Sequence, residues 1–254
     1  MTPIAITGYN WSWTSFLMAV WCPKTLPAVQ CQSNRVALRS SRSRREAYAV
    51  LTLDEAVVQL DDRSSAKRRA AAKRLRRLAV TTAGPSLLEA LRREVLDQRT
   101  WETQYQMVMA LGACDHRPAV PFLSDLAQRP LDATMVYVAL GDSIVRLRGA
   151  EEGISVPVRW CLDSGTPMLA DGALRAVAML RAVPEPETVD YILDFLAPLQ
   201  PHDGLRFWAA AAAAGWPGER VRAFLERCVA GPRTDVADAA ATSLEGKYQT
   251  HRPL

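Results

Sequence analysis

Histidine is scarce in this 254-residue chain: His116, His202 and His251 are the whole complement. They lie far apart, so neither a Ser-His-Asp nor a Cys-His nucleophile arrangement has an ordered base to draw on. Neither G-x-x-x-x-G-K-[ST] nor G-x-G-x-x-G occurs, which removes the two familiar glycine-built phosphate cradles. Aromatic residues make up 7%, and no alternating run of Val, Ile or Thr is bounded by hairpin turns, so strands are not expected. The longest apolar stretches, Trp11 to Cys22 and Phe207 to Trp216, fall short of the roughly 18 residues a membrane span needs. The five cysteines are odd in number, scattered and without a C-x-x-C pair, which points to a reducing compartment, the cytoplasm. From Cys114 onward they fall in apolar patterns and read as small hydrophobes. A chain of this size buries enough surface to fold without a metal or cofactor, and none is called for.

Charge is unevenly distributed. Residues 1 to 50 carry a net +5, residues 51 to 80 a net +4, and the remainder a net −5, giving +4 overall. Residues 1 to 50 also differ in kind: three tryptophans, then the Ser/Arg run from Arg39 to Arg45. With low apolar content and like charges close together, that run reads as a poorly ordered basic extension. Residues 1 to 10 hold no Lys or Arg, which speaks against a secretory signal.

Regular patterning begins near Leu53. The predicted helices fall in pairs: 52–60 with 65–79, 86–97 with 101–113, 119–128 with 132–147, 155–163 with 169–182, 187–197 with 203–214, and 218–229 with 234–246. Positions i, i+4 and i+7 of a helix lie within about 60° of one another, so the second helix of each pair should line one face with such a triplet. The triplets are Ala71/Leu75/Leu78, Gln104/Val108/Leu111, Tyr137/Gly141/Ile144, Ala173/Val177/Leu180, Arg206/Ala210/Ala213 and Ala237/Ala241/Leu244. Only Gln104, Gly141 and Arg206 break the apolar rule. Spacings between the last members are 33, 33, 36, 33 and 31 residues, the period of a stacked helical repeat. Proline-bearing breakers such as Gly84-Pro85, Arg117-Pro118, Trp216-Pro217 and Gly231-Pro232 fall between helices or in their first turns.

These pairs, with Ala- and Leu-rich second helices such as Val108-Met109-Ala110-Leu111-Gly112 and Ala239-Ala240-Ala241-Thr242-Ser243-Leu244-Glu245-Gly246, resemble the HEAT-repeat family in its short bacterial form. The resemblance covers residues 52 to 247, leaving 248 to 254 as a tail. It implies an all-α fold, a right-handed α-solenoid of five or six helix pairs whose second helices line a concave surface. It also implies a non-catalytic scaffold that binds a protein partner there. HEAT-like hydroxylases, which hold iron with adjacent His-Glu pairs, are not matched, because no histidine is followed by Glu. Cys114-Asp115-His116 offers three ligand types, but consecutive residues cannot all face one metal, so it reads as a loop. HEAT-like DNA alkylation-repair glycosylases use Trp and Asp on a basic surface. Trp101 with Tyr105, Trp160, Trp208 and Asp115 are similar in kind, although closing inter-repeat cores is the commoner role of such tryptophans.

The helix from Ser64 or Ser65 to Ala79 stands out. On a helical wheel Arg69, Lys73, Arg76 and Arg77 lie opposite the Ala71/Leu75/Leu78 stripe, flanked by Lys67, Arg68 and Arg74, with no acidic residue in the helix. Such a ridge could neutralise phosphates along a nucleic acid, the alternative to a protein partner. It could equally solvate the polar outer side of an end repeat, and Asp54, Glu55, Asp61 and Asp62 stand close enough in sequence to pair with it.

Overall fold

The computed structural model describes residues 51–249, of which 74% are helical, in twelve α-helices and four short 3₁₀ turns with no strand among them. The basic extension expected over 1–50, and all of the tail past residue 249, lie outside the described residues. The helices are α1 Leu53–Gln59, α2 Ser65–Leu78, α3 Gly84–Glu94, α4 Trp101–Ala113, α5 Val120–Ala127, α6 Thr134–Glu152, α7 Ser155–Asp163, α8 Pro167–Leu180, α9 Pro186–Leu196, α10 Arg206–Ala212, α11 Glu219–Val229 and α12 Thr234–Leu244.

Local chemistry sets the ends. Thr52 caps α1 with a reciprocal capping box to Glu55, and proline stands in the first turn of α3, α5, α8 and α9, where a missing N–H costs nothing. Two boundaries differ from expectation. Helix α6 runs on to Glu152, carried by the Arg148–Glu152 pair at 2.7 Å. Helix α10 is shorter than 203–214: Pro217 drives Trp216 into an extended conformation, so the alanine run tightens into a 3₁₀ turn at Ala213–Gly215.

The even-numbered helices form one row, each packed on the next from α2 through α4, α6, α8 and α10 to α12. Helices α1, α3, α5, α7 and α11 lie against their own even partners, while α9 packs on α7 and α11. The row is buried mainly by Ala, Val and Leu, among them Ala71, Leu75, Val108, Leu111, Ile144, Ala173, Val177, Ala210 and Ala240. Side-chain hydroxyls stitch it: Ser143 donates to the Val108 carbonyl at 2.8 Å, Ser243 to the Ala210 carbonyl at 2.6 Å, and Ser65 meets Thr103 at 2.8 Å.

Two of the expected triplets depart from the buried face. Leu180 is 45% exposed, because α8 ends there and turns through the left-handed Arg181. In α12 the buried face is Val236, Ala240 and Ser243, one residue earlier than Ala237/Ala241/Leu244, since Ser243 is drawn to α10 and no helix among the described residues follows α12 to cover Leu244. Two exceptions to the apolar rule share one role with Tyr137. The Gln104 amide donates to the Glu94 and Asp97 carbonyls, Tyr137 Oη to the Arg129 carbonyl at 2.6 Å, and Arg206 to the Leu196 and Leu199 carbonyls. Each first-position side chain thus satisfies the orphan carbonyls that end the preceding odd helix.

Candidate functional site

The basic helix α2 is largely spoken for. Lys67 pairs with Asp62 at 3.0 Å. Arg68 makes two bonds, of 2.6 and 2.8 Å, to the carboxylate of the buried Glu94, whose hydrogen bonds raise the guanidinium pKa further. Arg69 pairs with Glu102 of α4, and Arg74 donates to the Leu51 carbonyl at 2.6 Å. The four cations read as sharing one solvent face therefore divide: Arg69 and Arg76 lean over α4, while Lys73 and Arg77 meet no carboxylate among the described residues. Neutralisation comes chiefly from Glu94 and Glu102, which lie far along the chain. Of the nearby acids, Asp62 takes Lys67, while Asp61 pairs with Arg93.

Trp101 and Tyr105, one turn apart at the start of α4, are half-buried and pack against the core. Trp160 packs there as well, with the Arg148 guanidinium 5.7 Å from its ring centre. In the Cys114-Asp115-His116 turn the three side chains separate. Cys114 is buried with its thiol toward the Leu75 carbonyl, Asp115 is exposed and paired with Arg117, and His116 is buried against Gly84. Burial lowers the His116 pKa, and no group of three metal-capable side chains occurs among the described residues.

A second cluster, missed by sequence reasoning, lies across the even row. Asp142 of α6 is 0% exposed, and its two oxygens are held by different cations, Oδ1 by Arg146 Nε at 2.6 Å and Oδ2 by Arg175 of α8. Arg175 also stacks over Trp208 of α10, 5.6 Å from the ring centre. From the other side Arg76 of α2 reaches Gln106 of α4 at 3.4 Å. Burial lowers the Arg76 pKa, and the charges of Arg175 and Arg146 lower it further, against the opposing pull of Tyr105 and Asp142. Five successive even helices thus contribute to one polar patch in an otherwise apolar row.

No family model, curated protein or solved structure matches the chain. The site is therefore read from its own geometry.

One turn before Arg175, Asp171 is 4% exposed and its Oδ2 has no hydrogen-bond partner among the described residues. Burial raises its pKa from 3.8 to about 7, with Arg175 pulling it down and Asp203 pushing it up. Between those two values the folded protein holds a proton that the unfolded chain has released. Stability from this group is thus greatest below pH 4 and falls as pH rises to about 7, by roughly 4 kcal/mol at full effect. Asp171→Asn, which cannot ionise, is expected to lie within about 1 kcal/mol of wild type near pH 4.5 and to exceed it by about 4 kcal/mol at pH 8. Urea unfolding at both values checks this; a pH-independent gap between the two proteins would show that Asp171 titrates normally.

Farther along the row, a cavity of about 370 Å³ opens between α9, α11 and α12, with Arg206, Phe224, Cys228 and Arg233 among its lining. Burial raises the Cys228 thiol pKa, and Arg233 is engaged by Asp235.

Proposed function

We propose that the chain is a HEAT-like, right-handed α-solenoid acting as a non-catalytic binding scaffold, which engages a protein partner on the side built by the second helices. The unbroken row from α2 to α12 and its 31- to 36-residue spacing support the repeat reading. The observation that carries the binding reading is the cluster of Arg76, Arg146 and Arg175 around Asp142. Burying a carboxylate and the guanidinium that meets it in an apolar row costs stability, a cost expected at binding sites rather than in repeat packing. The buried free thiols Cys114, Cys161 and Cys228 fit a reducing, cytoplasmic setting.

Site-specific photo-crosslinking tests it. A benzoylphenylalanine at Gln106, beside Arg76, is expected to trap one discrete protein from a lysate of the source organism. The same probe at Val58, 74% exposed on α1, is expected to trap none, and Arg146→Glu should abolish the Gln106 adduct. Equal labelling from both positions would overturn the reading.

A nucleic-acid partner is the second reading, favoured by Lys73 and Arg77, which meet no carboxylate among the described residues. It requires a mobility shift with a steep salt slope, lost when Arg69, Lys73, Arg76 and Arg77 become Gln. The protein-scaffold reading requires no shift. Excision chemistry gains nothing from Asp115, which is exposed and tied to Arg117.

A further inference from the structure

Five of the six helix pairs close on themselves, each odd helix packed against its own even partner; the fifth does not. Helix α9 lies against α7 and α11 instead, and residues 197–205 carry the chain round to α10. Arg206 holds that connection in place, its Nη2 donating to the Leu196 and Leu199 carbonyls at 3.1 and 2.6 Å. The cavity of about 370 Å³ opens where this pair is splayed. Its volume stands at the small end of ligand cavities, roughly 300–1,000 Å³.

The walls divide by chemistry. Leu193, Leu199, Phe224 and Val236 give apolar surface; Arg206, Arg227 and Arg233 give charge, and no carboxylate is in the lining. Arg233 is cancelled by Asp235. Arg206 and Arg227 form no ion pair among the described residues. The Arg206 charge is met by two backbone carbonyls and the Cys228 thiol rather than by a counter-ion, and its Nε is buried with no hydrogen-bond partner among the described residues. Arg227, one residue before Cys228 in α11, is exposed. The other exposed arginines in the first two turns of α11 find acids, Arg220 with Asp190 and Asp194, and Arg222 with Glu226. Burial raises the Cys228 thiol pKa against the pull of Arg206 and Arg227, so the thiol is neutral at pH 7 and sets no negative charge against an incoming anion.

We infer that this cavity binds a small organic monocarboxylate, its apolar body against Leu193, Phe224 and Val236 and its carboxylate drawn to Arg206 and Arg227. The site lies apart from the surface around Gln106 and stands whether or not a partner binds there. Arg206 acts as a fixed buried charge, already oriented by its carbonyls, so an anion in the cavity gains attraction without ordering that side chain. Arg227 supplies a guanidinium fork, which matches the two oxygens of a carboxylate. A phosphomonoester fits less well: it carries about −1.5 to −2 at pH 7 and three oxygens, and apolar walls with few donors repay little of the cost of desolvating it.

The test is a methyl NMR titration of the full chain at pH 7 and fixed ionic strength. The probes are hexanoate, its neutral analogue hexanamide, hexyl phosphate, and a tripeptide ending in leucine with a free C-terminus. Hexanoate is expected to shift the Leu193, Leu199 and Val236 methyls saturably while leaving Leu75 of α2 in place, and to bind about tenfold more tightly than hexanamide or hexyl phosphate. Arg227→Gln is expected to weaken hexanoate about tenfold, as loss of a charge-assisted hydrogen bond does. Arg222→Gln removes the same charge from the same helix outside the cavity and should change nothing. Arg206→Gln should weaken binding as well; because it also strips two carbonyls of their donor, Arg227→Gln alone decides if that variant unfolds. A tripeptide that binds more tightly than hexanoate identifies the carboxylate as a chain end, and a weaker one identifies it as a free acid. Hexanamide or hexyl phosphate binding as tightly as hexanoate, hexanoate binding indifferent to Arg227→Gln, or no saturable shift at the three methyls with either carboxylate overturns the inference.

Discussion

Gly172→Ala is expected to lower the melting temperature by on the order of 10 °C, and Gly141→Ala to do the same. A Cβ on Gly172 would sit 2.1 Å from the Val138 carbonyl oxygen, and one on Gly141 2.1 Å from that of Leu169. Both obstacles are backbone, so neither can swing aside; α6 and α8 would have to part by an ångström or more along their closely packed seam. Overpacking of this kind costs about 3 kcal/mol or more, and each kcal/mol is worth roughly 2–4 °C in a domain of this size. Because either methyl alone forces the separation, the double variant should lose less than the two single losses combined. Gly149→Ala is the control. It lies in the same helix, but its Cβ would meet the movable tip of Ile154 at 3.0 Å, and alanine is the better helix former by about 1 kcal/mol. Thermal melts should leave Gly149→Ala at or above wild type. A Gly172→Ala protein melting with wild type would show that the helices do not meet there.

That crossing shows why the fold was legible. All twelve helices were expected within a few residues of where they lie, because each carries an apolar stripe at helical spacing and several begin at a proline or, for α1, at a capping threonine. The triplet Tyr137/Gly141/Ile144 was apolar except for a glycine, and periodicity could only score Gly141 as a break. In three dimensions it is the contact point: a side chain is missing because another backbone occupies its space. Gln104 and Arg206 were breaks for a different reason, reaching back to carbonyls of the preceding helix, a distance in space that a helical wheel does not contain. The face of α12 was misjudged by one residue because it depends on Ser243 finding Ala210 on a neighbouring helix.

The site was far less legible. A wheel of α2 shows seven cations and no acid, and nothing local reveals that Glu94 and Glu102 fold over it from 26 and 33 residues away. Long-range pairing decides the charge of a face, and it is invisible in one helix. A signal for the second cluster was present in the sequence. Asp142/Arg146 and Asp171/Arg175 repeat the same D-x-x-x-R spacing in the middle of two apolar helices, 29 residues apart. Charged residues four apart on the buried side of a helix need partners from elsewhere, and the repeat could have been read as a demand for them.

Asp142→Asn tests how that demand is met. With the carboxylate gone, Arg175 and Arg146 keep their charges in a place where solvent reaches them poorly, and neither is ion-paired with a second carboxylate among the described residues. Breaking a buried ion pair from one side costs about 3–5 kcal/mol, so the variant is expected to unfold at markedly lower urea than wild type. Arg146→Gln should cost less, since Asp142 retains Arg175 and the rim position is the more hydrated. Urea unfolding of both variants beside wild type checks the order; an Asp142→Asn protein that unfolds with wild type would show that the two ion pairs contribute nothing net to the fold.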